Sequence, residues 1–188
     1  MKYLIALIGE AGAGKDTILN EVMERMPSLH KKIGYTTRPP RDYEEDGKDY
    51  YFVDDGTMAG LILENQMLEV AEFNNWIYGT GIGSLVEDKV NIGIFSPDGI
   101  ESMRYNKDEV DVYVFWICAS DKIRWMRQLD REVDPDIDEI YRRWRADLID
   151  FMDFDFNYNE VWNETVEDKE NVIESICRAA RILEDKIV

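Results

Sequence analysis

Gly9-Glu10-Ala11-Gly12-Ala13-Gly14-Lys15-Asp16-Thr17 decides how the rest of this chain is read. It follows an apolar run, Tyr3-Leu4-Ile5-Ala6-Leu7-Ile8, and leads into a segment where Ile18, Leu19, Val22, Met23 and Met26 recur at helical spacing up to Pro27. A Gly-x-x-x-x-Gly-Lys motif at a strand-to-helix turn reads as a phosphate-binding loop. Glycines let the backbone curl until several N–H groups and a helix N-terminus face one anion, and the lysine reaches the outer phosphates. Gly9, Gly12, Ala13, Gly14, Lys15, Asp16 and Thr17 are therefore the candidate nucleotide-binding residues, and a nucleoside triphosphate is the working ligand. The motif ordinarily continues with Ser or Thr, whose hydroxyl ligates Mg²⁺. Here Asp16 holds that position, with Thr17 one step later. A carboxylate there repels phosphates unless it binds the metal, so Asp16 is the candidate Mg²⁺ ligand.

Working outward, a short strand is predicted around 32–35, followed by a charged, turn-rich stretch from Thr36 that ends in the β-like run Tyr50-Tyr51-Phe52-Val53. Further strands are predicted over 67–73 and 76–80, with 60–65 as part of a short helix before them. Ile92-Gly93-Ile94-Phe95 and Val110 to Cys118 are apolar runs of the kind buried on both faces of a parallel sheet. Helices over 121–131 and 137–151, a loop between them, a strand over 158–162 and an amphipathic helix from Asp168 to about Glu184 complete the pattern. Alternating strands and helices predict an α/β fold, with the loop at the carboxyl end of the first strand.

Composition narrows the function. At 188 residues the chain fits one domain with inserted subdomains, and 45% hydrophobic with 12% aromatic content argues against disorder. No apolar run approaches the ~20 residues of a membrane span, and no basic region precedes the first apolar run, so a soluble, cytoplasmic protein is expected. A net charge of −18, from 22 basic and 40 acidic residues, argues against a nucleic-acid-binding surface. It also makes local arginine clusters informative, since an anionic ligand must be drawn to them against the overall field. Cys118 and Cys177 fit no metal or redox spacing, and the single histidine, His30, rules against a zinc site or a His-dependent nucleophile.

Three blocks resemble the guanylate kinases, which transfer phosphate from ATP to GMP or dGMP. They are the phosphate loop; Thr36-Thr37-Arg38 through Pro40-Arg41 to Gly47, Asp49-Tyr50 and Phe52-Val53; and Leu68-Glu69 followed by Tyr78-Gly79-Thr80. The resemblance covers roughly residues 3 to 165, more loosely after Ile92. It implies a core of residues 1–35, 91–130 and 152–188, a small α+β insertion of residues 36–90 for the acceptor, and a helical lid of residues 131–151. It also implies ATP and Mg²⁺ as cofactors and a purine nucleoside monophosphate as the second substrate.

By the family pattern Arg38, Arg41, Tyr50 and Tyr78 bind the acceptor phosphate. Physically, two arginines three apart in a polar loop can clamp a dianion, and tyrosine hydroxyls add donors. Glu69 matches the guanine-reading glutamate, and its carboxylate can accept from the N1–H and exocyclic amine that adenine does not offer as a pair. Thr80 stands where the family often has a small hydroxyl residue near the base. Phosphoryl transfer needs charge neutralisation around the migrating group, a task for Lys15 and lid arginines. Arg131 matches the first lid arginine; the second is Arg142 by spacing or Arg143 one position on, and helical periodicity does not choose between them.

Four positions depart from the family pattern: Asp16; Gly34, where a base-reading Ser is usual; Ser96, where an acid usually ends the strand, with Asp98 two residues on; and Asn163, which matches an adenine-side Asn only with one residue inserted. The Lys-Asp-Thr ending also occurs in some viral deoxynucleoside monophosphate kinases and in ribose bisphosphate kinases of similar fold. A non-enzymatic relative, the guanylate-kinase-like module that holds phosphopeptides in its acceptor groove, is the further alternative.

Overall fold

The apolar run ahead of the loop is buried because it is the middle strand of a sheet covered on both sides. In a computed structural model, which describes residues 1–40, 44–73, 76–103, 109–131 and 134–187, β1 (Lys2–Ile8) enters the loop and α1 (Lys15–Arg25) leaves it. β2 (His30–Lys31), β3 (Gly34–Thr36) and β4 (Tyr50–Phe52) follow, then α2 (Asp55–Leu63), β5 (Met67–Phe73) and β6 (Trp76–Gly81). The second half runs β7 (Val90–Ile94), α3 (Pro97–Ser102), β8 (Val110–Cys118), α4 (Asp121–Leu129), α5 (Ile137–Asp150), β9 (Tyr158–Trp162) and α6 (Val166–Glu184).

Two sheets result. The larger has the order β2-β7-β1-β8-β9 with every neighbouring pair parallel. Successive residues of β1 face opposite sides. Ile5 and Leu7 pack with Ile18, Val22, Ile173, Ile176 and Ala180 of α1 and α6. Leu4, Ala6 and Ile8 pack with Leu68, Leu85, Phe95, Ile100 and Met103. Every residue from Leu4 to Ile8 is therefore fully buried, which is why the strand reads as an unbroken apolar run rather than an alternating one. α6 starts at a capping box in which Thr165 and Asp168 satisfy each other's backbone N–H groups, extending the predicted helix by two residues at its start.

The smaller sheet has the order β4-β3-β6-β5 and mixes directions: β3 pairs parallel with β4, and β6 antiparallel with β3 and β5. The single strand predicted over 32–35 is two. β2 ends on the large sheet, the Lys32 N–H still donates to Ile92 O at 2.9 Å, and from Gly34 the chain belongs to the small sheet. Hydrophobic periodicity registers extended backbone but not the partner it pairs with, so it merges the two. α2 begins earlier than predicted because the Asp54 side chain caps it at the Thr57 N–H, 2.6 Å away. α3, unpredicted, is capped by Ser96, whose Oγ accepts from the Gly99 N–H at 3.1 Å.

Candidate active site

Gly12 (φ 82°) and Gly14 (φ 98°) hold the left-handed conformations that curl the loop, which side-chain-bearing residues adopt only with strain. Gly14 is the N-cap of α1 and offers no side-chain cap. The first N–H groups of that helix are thus left for a ligand, in the arrangement that binds phosphate. Lys15 opens the helix and folds back, its Nζ donating to Gly9 O at 2.6 Å and Glu10 O at 3.1 Å. Burial holds the Lys15 ammonium below the usual lysine range, against the pull of Asp16, Asp147 and Glu10. Asp16 and Thr17 lie exposed in the first turn. A carboxylate there complements the helix dipole, and exposed oxygen donors beside a phosphate site suit Mg²⁺, which takes few protein ligands and keeps the rest as water and phosphate oxygens.

The far side of the loop is held by residues the motif does not contain. Arg124, nearly buried on α4, donates through Nε to Ala11 O at 3.1 Å and through Nη2 to Asp147 Oδ2 at 2.6 Å. One turn on, Arg127 donates to Gly12 O and Ala13 O at 3.3 Å and to Asn163 O at 2.8 Å. Asn163 is buried and returns Nδ2 to Ala13 O at 2.7 Å. Asp147 of α5 accepts from the Ala11 N–H at 2.9 Å, so a carboxylate of that helix sits on a phosphate-loop amide. Burial pushes the Asp147 carboxyl above its ordinary value, opposed by the Ala11 amide, Arg124 and Lys15. Sequence reading missed Arg124 and Asp147. The signal was α4's amphipathic pattern, in which an arginine occupies an inward position and so requires a partner.

Above the loop opens a cleft of about 670 Å³, lined by Gly12, Gly14, Lys15, Asp16, Thr17, Arg127, Arg131, Glu139, Arg143 and Asn163. The two lid candidates separate here. Arg131 is exposed in the turn after α4 and lines the cleft, as does Arg143; Arg142 is absent from the lining. Both α5 arginines bond Glu139, Arg142 through Nε at 2.6 Å and Arg143 through Nε at 2.8 Å. These bonds pull the Glu139 carboxyl down to about 2.

The small sheet assembles the other group. Arg38 forms a two-pronged pair with Glu44 at 2.9 and 2.8 Å and lies over the rings of Tyr50 and Phe52. The Glu44 bonds, with a smaller contribution from Tyr78, raise the Arg38 guanidinium above its ordinary value. Tyr50 and Tyr78 meet edge to face with centroids 6.0 Å apart, and burial raises the Tyr50 hydroxyl. Arg41 lies outside the described residues. Glu44, also missed, sat in an acidic run that reads as solvated loop.

Glu69 is buried, as is the Leu68 before it. The β5–β6 register slips between Met67 and Glu69, with Leu68 packed in the core and Glu69 in a polar cluster. There Thr80 Oγ1 donates to Glu69 Oε1 at 2.7 Å and accepts from Lys32 Nζ at 2.8 Å. Ser96, at the position of the missing acid, serves as the α3 cap, and Asp98 on that helix is exposed.

The large sheet, with an anion cradle at the carboxyl end of its central strand, defines a phosphate-loop α/β protein. A model of the guanylate kinase family matches residues 1–179. The guanylate kinase of Thermotoga maritima is 32% identical over 183 residues, spanning 95% of this chain and 87% of the relative. That of Geobacter metallireducens is 32% identical over 190 residues, with 97% and 92% covered. A crystal structure of guanylate kinase from Anaplasma phagocytophilum superposes with a TM-score of 0.67 at 23% identity, covering 95% of this chain and 85% of that one. This chain belongs to the guanylate kinase family.

Proposed function

We propose that this protein is an ATP-dependent guanylate kinase that transfers the γ-phosphate of ATP to GMP or dGMP, giving ADP and GDP or dGDP. The observation that carries it is the coexistence of two anion sites of different build: a phosphate loop with Lys15 in place, and a small sheet where Arg38, Tyr50 and Tyr78 converge beside a buried carboxylate, Glu69.

An oxygen of the acceptor phosphate forms a bond to the γ-phosphorus as the bond to the β–γ bridging oxygen breaks, and ADP leaves with that electron pair. No protein nucleophile is needed. Lys15 and the α1 N-terminus hold the donor phosphates, and Arg131 and Arg143 line the same cleft where charge migrates. Arg38 orients the acceptor phosphate while Glu44 orients Arg38. Glu69 accepts from the N1–H and 2-amino group of guanine. Asp16, with Thr17, would hold Mg²⁺, which when bound supplies charge neutralisation at the phosphates. Closure of 131–151 over both substrates would exclude water and suppress wasteful ATP hydrolysis. A cytoplasmic location goes with this reading, because its nucleotide substrates are found there; among the described residues no helix is long and apolar enough to cross a membrane.

A coupled ADP-release assay with ATP, Mg²⁺ and a panel of nucleoside monophosphates tests the proposal. Turnover with GMP and dGMP above all others is expected. Equal rates across several deoxynucleotides would replace it with a broad-specificity kinase, and ATP binding without any turnover would replace it with a binding module.

A further inference from the structure

We propose that the Lys32 ammonium is the hydrogen-bond donor to the 6-oxo group of the acceptor base, so that Lys32 and Glu69 together read one purine edge. This rests on the guanylate kinase reading above and names a specificity residue for it.

Lys32 sits where the chain passes from the large sheet to the small one. Its N–H bonds Ile92 O of β7, and its Nζ reaches across to Thr80 Oγ1 of β6. The same Nζ lies 4.1 Å from the centroid of the Phe95 ring. The path is built for it: a side chain at Gly93 would collide with the Lys32 Cγ, and a Cβ at Gly34 would stand 3.5 Å from Nζ. The side-chain-free position at Gly93 thus leaves the space that carries the amine to the small sheet, with Gly34 in ordinary contact range of Nζ.

Among the described residues the ammonium is incompletely satisfied. Lysine has three N–H donors, and among the described residues the hydrogen bond of this one goes to a neutral hydroxyl. Glu69 is reached only through that hydroxyl, as Thr80 passes its own proton to Glu69 Oε1 at 2.7 Å. Burial lowers the Lys32 ammonium against the pull of Glu69, so holding a cation here is costly unless a ligand completes its bonds.

The pair matches a particular edge. Guanine presents a carbonyl at C6, then N1–H, then a 2-amino group: one acceptor followed by two donors. A cationic donor one hydroxyl away from a carboxylate offers the complementary order. Adenine puts an amine where the carbonyl would be, setting donor against donor at Lys32 and acceptor against acceptor at Glu69, which rejects it at both ends.

The test is a cycle between Lys32 and the 6-oxygen. Wild type, Lys32→Met, Lys32→Gln and Glu69→Gln are assayed with GMP and with 6-thio-GMP, which keeps N1–H and the 2-amino group but offers a weak sulfur acceptor. Wild type is expected to favour GMP by about 10- to 100-fold in kcat/KM, the range for a charge-assisted bond. Lys32→Met should raise the GMP KM by a similar factor, erase the preference over 6-thio-GMP and leave the ATP KM unchanged. Glu69→Gln should weaken both acceptors equally. Should Lys32→Met fail to fold, Lys32→Gln carries the comparison, with a partial loss of preference expected. Wild type that treats GMP and 6-thio-GMP alike, or a Lys32 variant that loses both equally, overturns the proposal and makes Lys32 a structural tie between sheets. Absence of GMP turnover in wild type would overturn the kinase reading itself, whereas GMP turnover without the thio effect overturns only this one.

Discussion

At the phosphate loop, Lys15, Arg124 and Arg127 all donate to main-chain carbonyls of the loop, those of Gly9 to Ala13; in the small sheet, Arg38 donates to a carboxylate, Glu44, and lies over Tyr50 and Phe52. For Lys15 and Arg127 these neutral carbonyl partners leave most of the charge uncompensated, so the loop stays attractive to a highly charged triphosphate, whereas Arg124 is also paired with Asp147, Asp121 and Glu10 and ties the loop to α4 and α5. A carboxylate partner compensates charge but fixes direction. Because a guanidinium has five donors in a rigid fork, Glu44 can aim Arg38 without exhausting it. The loop thus offers charge, and the small sheet a fixed direction.

Removing charge from the loop should give the largest effect. Lys15→Ala is expected to lower kcat by about 10²- to 10³-fold while the melting temperature barely moves, since among the described residues Lys15 bonds the loop itself. An unchanged kcat in the coupled assay would break the contrast. On the acceptor side, Arg38→Ala should raise the GMP KM by about 10- to 100-fold and leave the ATP KM alone, as expected of a lost charge-assisted clamp.

Asp147→Asn probes the tie between the phosphate loop and α5. It leaves the nearly buried Arg124 short of its shortest anionic partner, so urea denaturation should show a loss of about 1–3 kcal/mol, below the cost of a wholly unpaired charge because Asp121 and Glu10 remain. Glu44→Gln isolates orientation from charge: a rise in GMP KM of about 3- to 10-fold, smaller than for Arg38→Ala, sharpens the comparison. A rise as large as for Arg38→Ala would mean that Glu44 holds the whole loop.

The smallest effect concerns pH. The Glu139 carboxyl is held down at about 2, from an ordinary value of 4.5, by Arg142 and Arg143. A depressed carboxyl contributes stability that is complete above its unfolded value and is lost as pH falls through its folded one. Wild type should therefore lose stability faster than Glu139→Gln between about pH 4.5 and 2, in denaturation series at each pH.

Donor and acceptor sides also differ in how far they were legible. The phosphate loop is contiguous, so its glycines, Lys15 and the strand and helix around it were readable from local pattern alone. Arg38, Tyr50 and Tyr78 were found through a resemblance in order and spacing, because nothing in periodicity says that 38, 50 and 78 meet. Glu44 and Lys32 were hidden by context, one in an acidic loop and the other in a strand that proved to be two. For Glu69 the chemistry was legible but its partners were not, since Thr80 and Lys32 are brought to it by strand pairing that no hydrophobic pattern records.

By itself the sequence determined an α/β fold around a buried central strand, an anion site at a helix N-terminus and the residue types of a phosphate-transfer enzyme, because each of these follows from interactions between near neighbours in the chain. Only the tertiary structure decided that Arg124, Arg127, Asp147 and Asn163 clasp the loop, that Arg143 rather than Arg142 lines the cleft, and that Lys32 lies one hydroxyl from Glu69. Those contacts join residues 11 to 150 positions apart: the clasp forms where α4, α5 and the end of β9 pack against the loop, and the Lys32–Thr80–Glu69 chain forms where the chain crosses from one sheet to the other.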